Sequence, residues 1–253
     1  MSLVETYAPP RDIAAKLRRR LTQYTRARPA LLRFDTPILS VCFDDFPQSA
    51  AFEGARILES HGGRGTFYAS AGLAQVEGAC GPGFASADLA RLAAAGHEIA
   101  CHTFAHRDCA RLDAFKTLID LAKNRDALAA MGHAAPLQAL AYPYGETSTD
   151  LKASLPPRYR SARGILPGLN VGRVDLAQLR AFPLFGQDFD RARSSLKRAA
   201  RRRAWMIVFT HDVSPTPSPW GTRAKDLDAF LVQARGLGFQ LLSVTPALAM
   251  ARP

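Results

Sequence analysis

The 253-residue sequence predicts an α/β domain with a mainly parallel sheet of seven or so strands, curled towards a barrel. From residue 37 onward, short apolar runs alternate with longer helical stretches, which is typical of strand–helix units that build a parallel sheet. The number of these units favours a barrel over an open sheet. Hydrophobic residues make up 47% of the chain and charged residues 22%, which excludes a disordered chain.

The strand candidates are short apolar runs bounded by polar or turn residues. They cover 38–43, 65–69, 98–101, 137–142, 158–162, 179–182, 205–210 and 239–244. Helices are predicted at 49–60, 86–95, 112–131 and 224–235. Gly96 and Gly132 end the second and third of these helices, since glycine commonly follows a helix C-terminus. We expect residues 1–36 to be a basic helical N-terminal extension and residues 37–253 to be the α/β domain.

The chain is strongly basic, with 33 Lys and Arg against 22 Asp and Glu and a net charge of +11. Much of the excess lies at Lys16–Arg20 and Arg191–Arg203. Such runs indicate an anionic or phosphate-bearing substrate, an anionic membrane surface, or only solvated helix faces. Because no aromatic interleaving or zinc-finger spacing accompanies them, we expect no nucleic-acid partner.

The chain has no apolar run near the ~18 residues that span a bilayer, and its first residues do not have the pattern of a secretory signal. The cysteines also lack CxxC spacing, so we expect reduced thiols in the core. These features predict a cytoplasmic protein. The four cysteines are Cys42, Cys80, Cys101 and Cys109.

Polar side chains follow four of the predicted strands, at the rim where α/β folds commonly place functional residues. These segments are Asp44-Asp45, His102 to His106, Tyr142-Pro143-Tyr144-Gly145, and His211-Asp212.

His102 and His106 are four residues apart, so on one helical turn both imidazoles could reach a single divalent metal ion. A catalytic zinc ion commonly takes three protein ligands, and either Asp44 or Asp45 could be the third. The alternatives are an accidental surface histidine pair and an aspartate that caps a helix. The zinc-protease motif is excluded because Thr103, and not glutamate, follows the first histidine.

His211 lies just past the strand at 205–210, where it could act as a general acid for a leaving amine. The alternative is a structural histidine at a strand end. His61, His97 and His133 have no comparable neighbours in the sequence, and we expect structural roles for them.

The chain resembles the polysaccharide deacetylases (NodB-homology domain) over roughly residues 36–245. The resemblance rests on four motifs in the family's order. They are Phe43-Asp44-Asp45, His102-Thr103-x-x-His106, Tyr142-Pro143-Tyr144-Gly145 and Phe209-Thr210-His211.

The resemblance implies a distorted (β/α) barrel and one divalent metal ion, usually zinc, with Co²⁺, Ni²⁺ or Mn²⁺ as alternatives. It implies that Asp45, His102 and His106 are the metal ligands. It further implies that Asp44 is the general base, His211 the general acid and the backbone N–H of Tyr144 an oxyanion donor. Phe209 would line the acetyl pocket, with Tyr142 and Pro143 beside the substrate.

We therefore expect a metal-dependent N-deacetylase that releases acetate from N-acetylhexosamine units of a bacterial exopolysaccharide. The alternatives are a hydrolase of a small amide or cyclic imide on the same fold, and a non-catalytic glycan-binding relative. The basic N-terminal helix and the Arg191–Arg203 run could hold the enzyme at an anionic membrane. The same helix could pack on a second subunit, which would give a homodimer.

The sequence departs from the family in two places. Ala141 stands two residues before Pro143, where the family often has an arginine, and the aspartate-rich fourth motif has Asp175 as its nearest candidate. In the family these groups brace the base. Arg163 or Arg180 could substitute here.

Overall fold

The chain folds around a curled parallel sheet, described by a computed structural model for residue 10 and residues 12–25 and 27–252. The strands are β1 Pro29–Leu32, β2 Ile38–Asp44, β3 Thr66–Ala69, β4 Glu77–Gly78, β5 Gly81–Pro82, β6 Glu98–Cys101, β7 Ala139–Ala141, β8 Ser161–Arg163, β9 Gly172–Asp175, β10 Phe182–Pro183, β11 Trp205–Thr210, β12 Val213–Ser214, β13 Thr222–Arg223 and β14 Gln240–Leu241.

Helices follow most of the sheet strands. They are α1 Ile13–Tyr24, α2 Ala55–Ser60, α3 Ser86–Ala94, α4 Ala114–Ala130, α5 Thr149–Ser154, α6 Asp188–Arg201, α7 Ala224–Gly236 and α8 Val244–Ala249. A π-helical turn at Ala50–Gly54 leads into α2, and 3₁₀ turns form at Ala71–Leu73 and Pro143–Gly145.

Seven strands lie side by side in the order β10-β11-β2-β3-β6-β7-β8, and β14 pairs with the start of β2. Every pair in this sheet is parallel. Leu179, just before β10, makes a parallel bridge to Arg163 of β8, so the two outer strands approach each other. The prediction of a distorted barrel with about seven strands is confirmed.

Side chains of the strands alternate between two apolar clusters, as the period of two of a β-strand requires. On β2, Val41 and Phe43 pack towards the helices, whereas Ile38 and Cys42 belong to the cluster inside the curled sheet. Asp44 continues the inward series and is only 4% exposed. The pleat of β2 thus points one carboxylate into the barrel.

The N-terminal segment is only partly helical. α1 matches the predicted helical extension, but Pro29–Leu32 forms β1, which pairs antiparallel with β9. The helical prediction for residues 1–36 is therefore wrong for residues 29–32, because backbone pairing with β9 outweighs local preference. Its parts at residues 1–9, 11 and 26 lie outside the described residues.

The predicted strand at 239–244 is shorter than expected, since only Gln240–Leu241 pair before α8 begins at Val244. The Arg191–Arg203 run lies mostly on α6, whose inner side buries Ala192, Leu196 and Ala199 and whose charged side chains face solvent. No helix in the described part of the chain is long and apolar enough to cross a bilayer.

Candidate active site

Two consecutive aspartates leave the end of β2 in different directions. Asp44 is the last residue of the strand and points inward, whereas Asp45 has a left-handed backbone with a φ of 54°. This conformation is costly for a residue with a Cβ, although aspartate tolerates it better than most. Asp45 does not cap a helix, so the alternative role considered for it is excluded.

His102 and His106 come together without a helix between them. The segment after β6 is irregular, and Thr103 and His106 have φ values of 65° and 48°. The expectation of a helical turn is wrong here, because left-handed residues fold the chain back instead. The two imidazoles nevertheless lie with ring centroids 4.9 Å apart.

Asp45, His102 and His106 form a cluster whose candidate ligand atoms all lie within 4.8 Å of one another. His102 Nε2 is 3.8 Å from Asp45 Oδ1, and His106 Nε2 is 3.5 Å from Asp45 Oδ2. These separations are close to the roughly 3.3 Å between two ligands of a tetrahedral zinc ion with bonds of about 2.0–2.1 Å.

The donor set of this cluster also fits a metal ion. His102 Nδ1 lies 2.8 Å from the carbonyl oxygen of Ala141, which can only accept, so Nδ1 carries the proton and Nε2 presents a lone pair to the cluster. Asp45 Oδ1 is buried without a hydrogen-bond partner among the described residues. An orphaned carboxylate oxygen facing two imidazole nitrogens is the arrangement that a divalent cation satisfies.

The local electrostatics keep the ligands in the forms that bind metals. Burial lowers the pKa of His102 to about 4, so its imidazole is neutral at neutral pH. Burial tends to raise the pKa of the Asp45 carboxyl, but the imidazoles of His106, His102 and His211 bring it below its ordinary value. A neutral imidazole and an ionised carboxylate are what metal ligation requires.

Asp44 is held by an arginine from the far side of the sheet. Arg163 of β8 donates from its Nη2 to Asp44 Oδ1, and both side chains are almost fully buried. The guanidinium stacks over the rings of Tyr68 and Phe209, at 4.5 and 5.0 Å from their centroids. Burial alone would lower the pKa of Arg163, but Asp44 raises it above its ordinary value.

The sequence left two candidates for the arginine that braces Asp44, and of these Arg163 is the one that contacts it. Arg180 is exposed and lies against Gly168 and the carbonyl of Pro167. Asp175, the nearest candidate for the fourth motif, does not brace Asp44. Its carboxylate pairs with the ammonium of Lys152 at 2.7 Å. Asp175 is therefore a structural residue at the end of β9.

The 3₁₀ turn Pro143–Gly145 places Tyr144 against the metal cluster. Tyr144 has a φ of 57°, and its ring centroid lies 4.7 Å from that of His106. Gly145 has a φ of 70°, and a Cβ there would lie 2.4 Å from Ile165 Cγ1, so only glycine fits.

Tyr142 and Pro143 do not line the site as expected. Tyr142 is 1% exposed, and its hydroxyl donates to the carbonyl of Ala177 at 2.8 Å, so it belongs to the core. Pro143 is also buried and shapes the turn that carries Tyr144. Since a strand alternates its sides, the inward position next to Tyr142 is the small residue Ala141.

His211 lies just after β11, close enough to the Asp45 carboxyl to help lower its pKa. Its Nδ1 is 3.2 Å from the carbonyl oxygen of Trp220, which accepts, so Nδ1 carries a proton and Nε2 remains for chemistry. Phe185 packs edge-on against both Phe209 and His211, at 5.6 and 6.0 Å between centroids. Phe209 is 4% exposed and forms the apolar floor between Arg163 and Phe185.

Sequence reasoning missed Trp220 and Phe185 as neighbours of His211. Neither residue belongs to a motif, and each reaches the site from a loop. The following residue, Asp212, instead accepts from the backbone N–H and the hydroxyl of Ser218 at 2.8 and 2.5 Å, so the carbonyl of Trp220 is what orients His211.

Two of the three remaining histidines, His97 and His61, have structural partners, as predicted. His97 Nδ1 accepts from the backbone N–H of Gly65, and its Nε2 contacts Glu59 at 2.9 Å. His61 contacts Asp228 at 2.8 Å. The four cysteines are free, and all except Cys80 are buried.

Strained backbone is concentrated at the candidate site. Of the six non-glycine residues with positive φ among those described, four belong to the site. Such conformations cost about 1–3 kcal/mol each and persist where the surrounding structure enforces them. These four residues are Asp45, Thr103, His106 and Tyr144.

Comparisons with known proteins agree with this geometry. Residues 32–156 match the family model for polysaccharide deacetylase, whereas no curated protein matches the chain significantly. The fold is similar to that of peptidoglycan deacetylase PdaC from Bacillus subtilis, with 17% identity over 85% of this chain and 92% of that one and a TM-score of 0.56.

Two further solved structures share the fold. A family 4 carbohydrate esterase from Streptomyces lividans, in complex with acetate, is 16% identical over 82% of this chain and 92% of that one, with a TM-score of 0.55. A family 4 pseudoenzyme from Bacillus anthracis is 12% identical over 85% of this chain and 66% of that one, with a TM-score of 0.56. Over residues 32–156 the chain thus matches the polysaccharide deacetylases, a family of hydrolases, and its fold is similar to that of solved deacetylases over most of its length.

Proposed function

We propose that the protein is a metal-dependent N-deacetylase that hydrolyses the acetamido groups of N-acetylhexosamine units in a bacterial exopolysaccharide. The observation that carries the proposal is the Asp45, His102 and His106 cluster beside a buried, arginine-paired Asp44. These three residues would hold one divalent ion, for which zinc is the first candidate. When bound, it would polarise the acetyl carbonyl and lower the pKa of water.

Asp44 is the general base in this proposal. Arg163 binds Oδ1 of the Asp44 carboxylate, which leaves Oδ2 to accept a proton from the attacking water. The backbone N–H of Tyr144, held by the left-handed turn, is the donor to the developing oxyanion.

His211 is the general acid. With Nδ1–H donated to the carbonyl of Trp220, Nε2 of the protonated imidazole can transfer its proton to the departing sugar nitrogen. Phe209 and Phe185 supply an apolar wall for the acetyl methyl group. The products are acetate and a glucosamine-type amine.

The test is acetate release from acetylated glycan oligomers, with metal content measured on the same preparations. Asp45→Ala should lose both stoichiometric metal and turnover. Asp44→Asn should keep the metal while turnover falls by about 100-fold or more, because the proton acceptor is lost. The free energy of unfolding should also fall, since buried Arg163 loses its charge partner. His61→Ala, a histidine paired with Asp228 away from the site, is the matched control and should change neither.

Substrate class is tested with the same preparations. Release from the glycan oligomers, without hydrolysis of small amides or a cyclic imide, supports the proposal, and the reverse preference would replace it with a small-amide hydrolase. Wild-type protein with no bound metal and no chelator-sensitive turnover would instead identify a non-catalytic glycan-binding protein.

A further inference from the structure

The outer face of α1 carries an apolar stripe that is left exposed by the other described residues. Its four large side chains are strongly exposed, by 76% for Ile13, 63% for Leu17, 61% for Leu21 and 74% for Tyr24. At about 100° per residue, they fall within a stripe roughly 80° wide. The opposite face is the one attached to the domain, since it contains the buried Ala15 and Thr22.

Basic side chains flank this stripe on both sides. On the helical wheel, Lys16 and Arg20 lie along one edge and Arg18 along the other. No acidic residue occurs between Ile13 and Tyr24. A second copy of α1 would therefore meet like charges with no ion pairs to offset them, whereas an anionic surface would complement them.

The inner side of α1 is firmly tied to the domain. Arg19 pairs with Glu146, and buried Lys152 donates to the carbonyls of Thr22 and Thr25 at 2.6 and 2.7 Å. Glu146 directly follows the turn that carries Tyr144. Any surface that binds α1 is thus brought near the rim of the candidate site.

We propose that α1 is an interfacial helix that docks the protein on an anionic lipid bilayer. Ile13, Leu17, Leu21 and Tyr24 enter the boundary between headgroups and acyl chains, and the flanking basic residues contact the anionic headgroups. A lone amphipathic helix of this kind binds reversibly. This property does not depend on the proposed deacetylase activity.

Flotation of the full-length protein with vesicles tests this proposal. Vesicles of phosphatidylglycerol and phosphatidylcholine in equal parts should bind the wild-type protein, and pure phosphatidylcholine should bind it at least about 10-fold less. The double substitution Leu17→Glu with Leu21→Glu should reduce partitioning to the anionic vesicles by about 10-fold or more. Phe115→Glu with Ile119→Glu is the matched control, because these residues are exposed at the same spacing on α4.

The charge contribution is separated in the same assay. Lys16→Gln with Arg20→Gln should weaken binding by about 10-fold, whereas Lys197→Gln with Arg201→Gln on α6 removes the same charge and should leave most of the binding. The proposal is overturned if the α6 variant alone loses binding or if both vesicle types bind equally. It is also overturned if the wild-type protein does not float, or is a dimer that Leu17→Glu dissociates.

Discussion

At the residue scale, Arg163 explains how a carboxylate can be buried inside the barrel. Asp44 is 4% exposed, and an unpaired charge at that depth would cost several kcal/mol. The guanidinium of Arg163 neutralises it and is itself enclosed by the rings of Tyr68 and Phe209. The pair therefore orients the candidate base while it holds β8 to β2.

Replacing Arg163 tests this double role. Arg163→Met should lower kcat by about 100-fold or more with KM little changed, because the base loses its orientation. The free energy of unfolding should fall by about 3–5 kcal/mol, since a buried charge is left without its partner. Steady-state kinetics and chemical denaturation measure the two effects.

Arg180→Met is the control for that substitution, since Arg180 is exposed and makes no ion pair with a described residue. Arg163→Lys should recover part of the stability and less of the activity, because lysine cannot reproduce the planar guanidinium. Full activity of Arg163→Met would show that Asp44 needs no brace.

His102 predicts how the stability of the metal-free protein depends on pH. Burial lowers the pKa of His102 from 6.5 to about 4, so between these values the unfolded chain binds a proton that the folded chain does not. The free energy of unfolding should therefore fall as the pH is lowered from 6.5 to 4, by about 3 kcal/mol in all. Denaturation of chelator-treated protein across this range measures it, and His102→Gln should flatten the profile. An identical slope in the variant would assign the effect to other groups.

At the element scale, the short turn after β7 positions Tyr144 through a single glycine. Gly145→Ala places a Cβ against Ile165 and adds left-handed strain, so the turn must shift. We expect kcat/KM for the acetylated glycan to fall by about 10-fold or more, as happens when a positioning element moves by about 1 Å.

Gly172→Ala is the matched control for the glycine substitution. Gly172 has a similar φ of 75°, but nothing lies within 4 Å of its added Cβ. It should cost about 1 kcal/mol of stability from backbone strain and leave kcat/KM unchanged. Equal losses of activity in both variants would mean that general destabilisation, and not the position of Tyr144, is responsible.

Strands were predicted correctly from sequence where the apolar runs are long. They were missed where pairing with a distant segment determines the conformation. β2 and β11 were predicted within a residue, because buried parallel strands are continuous apolar runs. β1 was missed because its four residues form a strand only through pairing with β9, which lies far away in the sequence. The left-handed segment at Thr103 and His106 was also unpredictable, since no local signal distinguishes it from a helical turn.

At the scale of the whole molecule, Lys152 joins the N-terminal segment to the barrel. Its buried ammonium contacts two carbonyls at the end of α1, together with Asp175 and Gln178. Lys152→Met should lower the free energy of unfolding by about 3–5 kcal/mol, because Asp175 keeps its charge without this partner. Hydrogen exchange should show α1 losing protection before the central sheet does.

Asp175→Asn added to Lys152→Met separates the two contributions. The double variant should regain part of the stability, since the uncompensated carboxylate is removed, while α1 should stay poorly protected. Normal protection of α1 in Lys152→Met would show that β1 and the Arg19–Glu146 pair suffice to hold it.

The fold class and the positions of the candidate-site motifs could be read from sequence because parallel strands bring their carboxyl ends to one rim. The motif residues around Asp45 and His211 met there as expected. Arg163 was one of two candidates, since only the curvature of the sheet shows which arginine reaches Asp44. The cytoplasmic location and the homodimer remain predictions from sequence.

The ion pair between Asp44 and Arg163 has a consequence for how relatives of this protein are recognised. Inward positions on several strands converge on the same interior, so evolution can relocate the supporting cation from one strand to another. A sequence criterion that requires arginine at the position of Ala141 would classify such chains as lacking the supporting cation. Deciding whether a homologue keeps this ion pair therefore requires measuring, in three dimensions, whether any guanidinium reaches the buried aspartate.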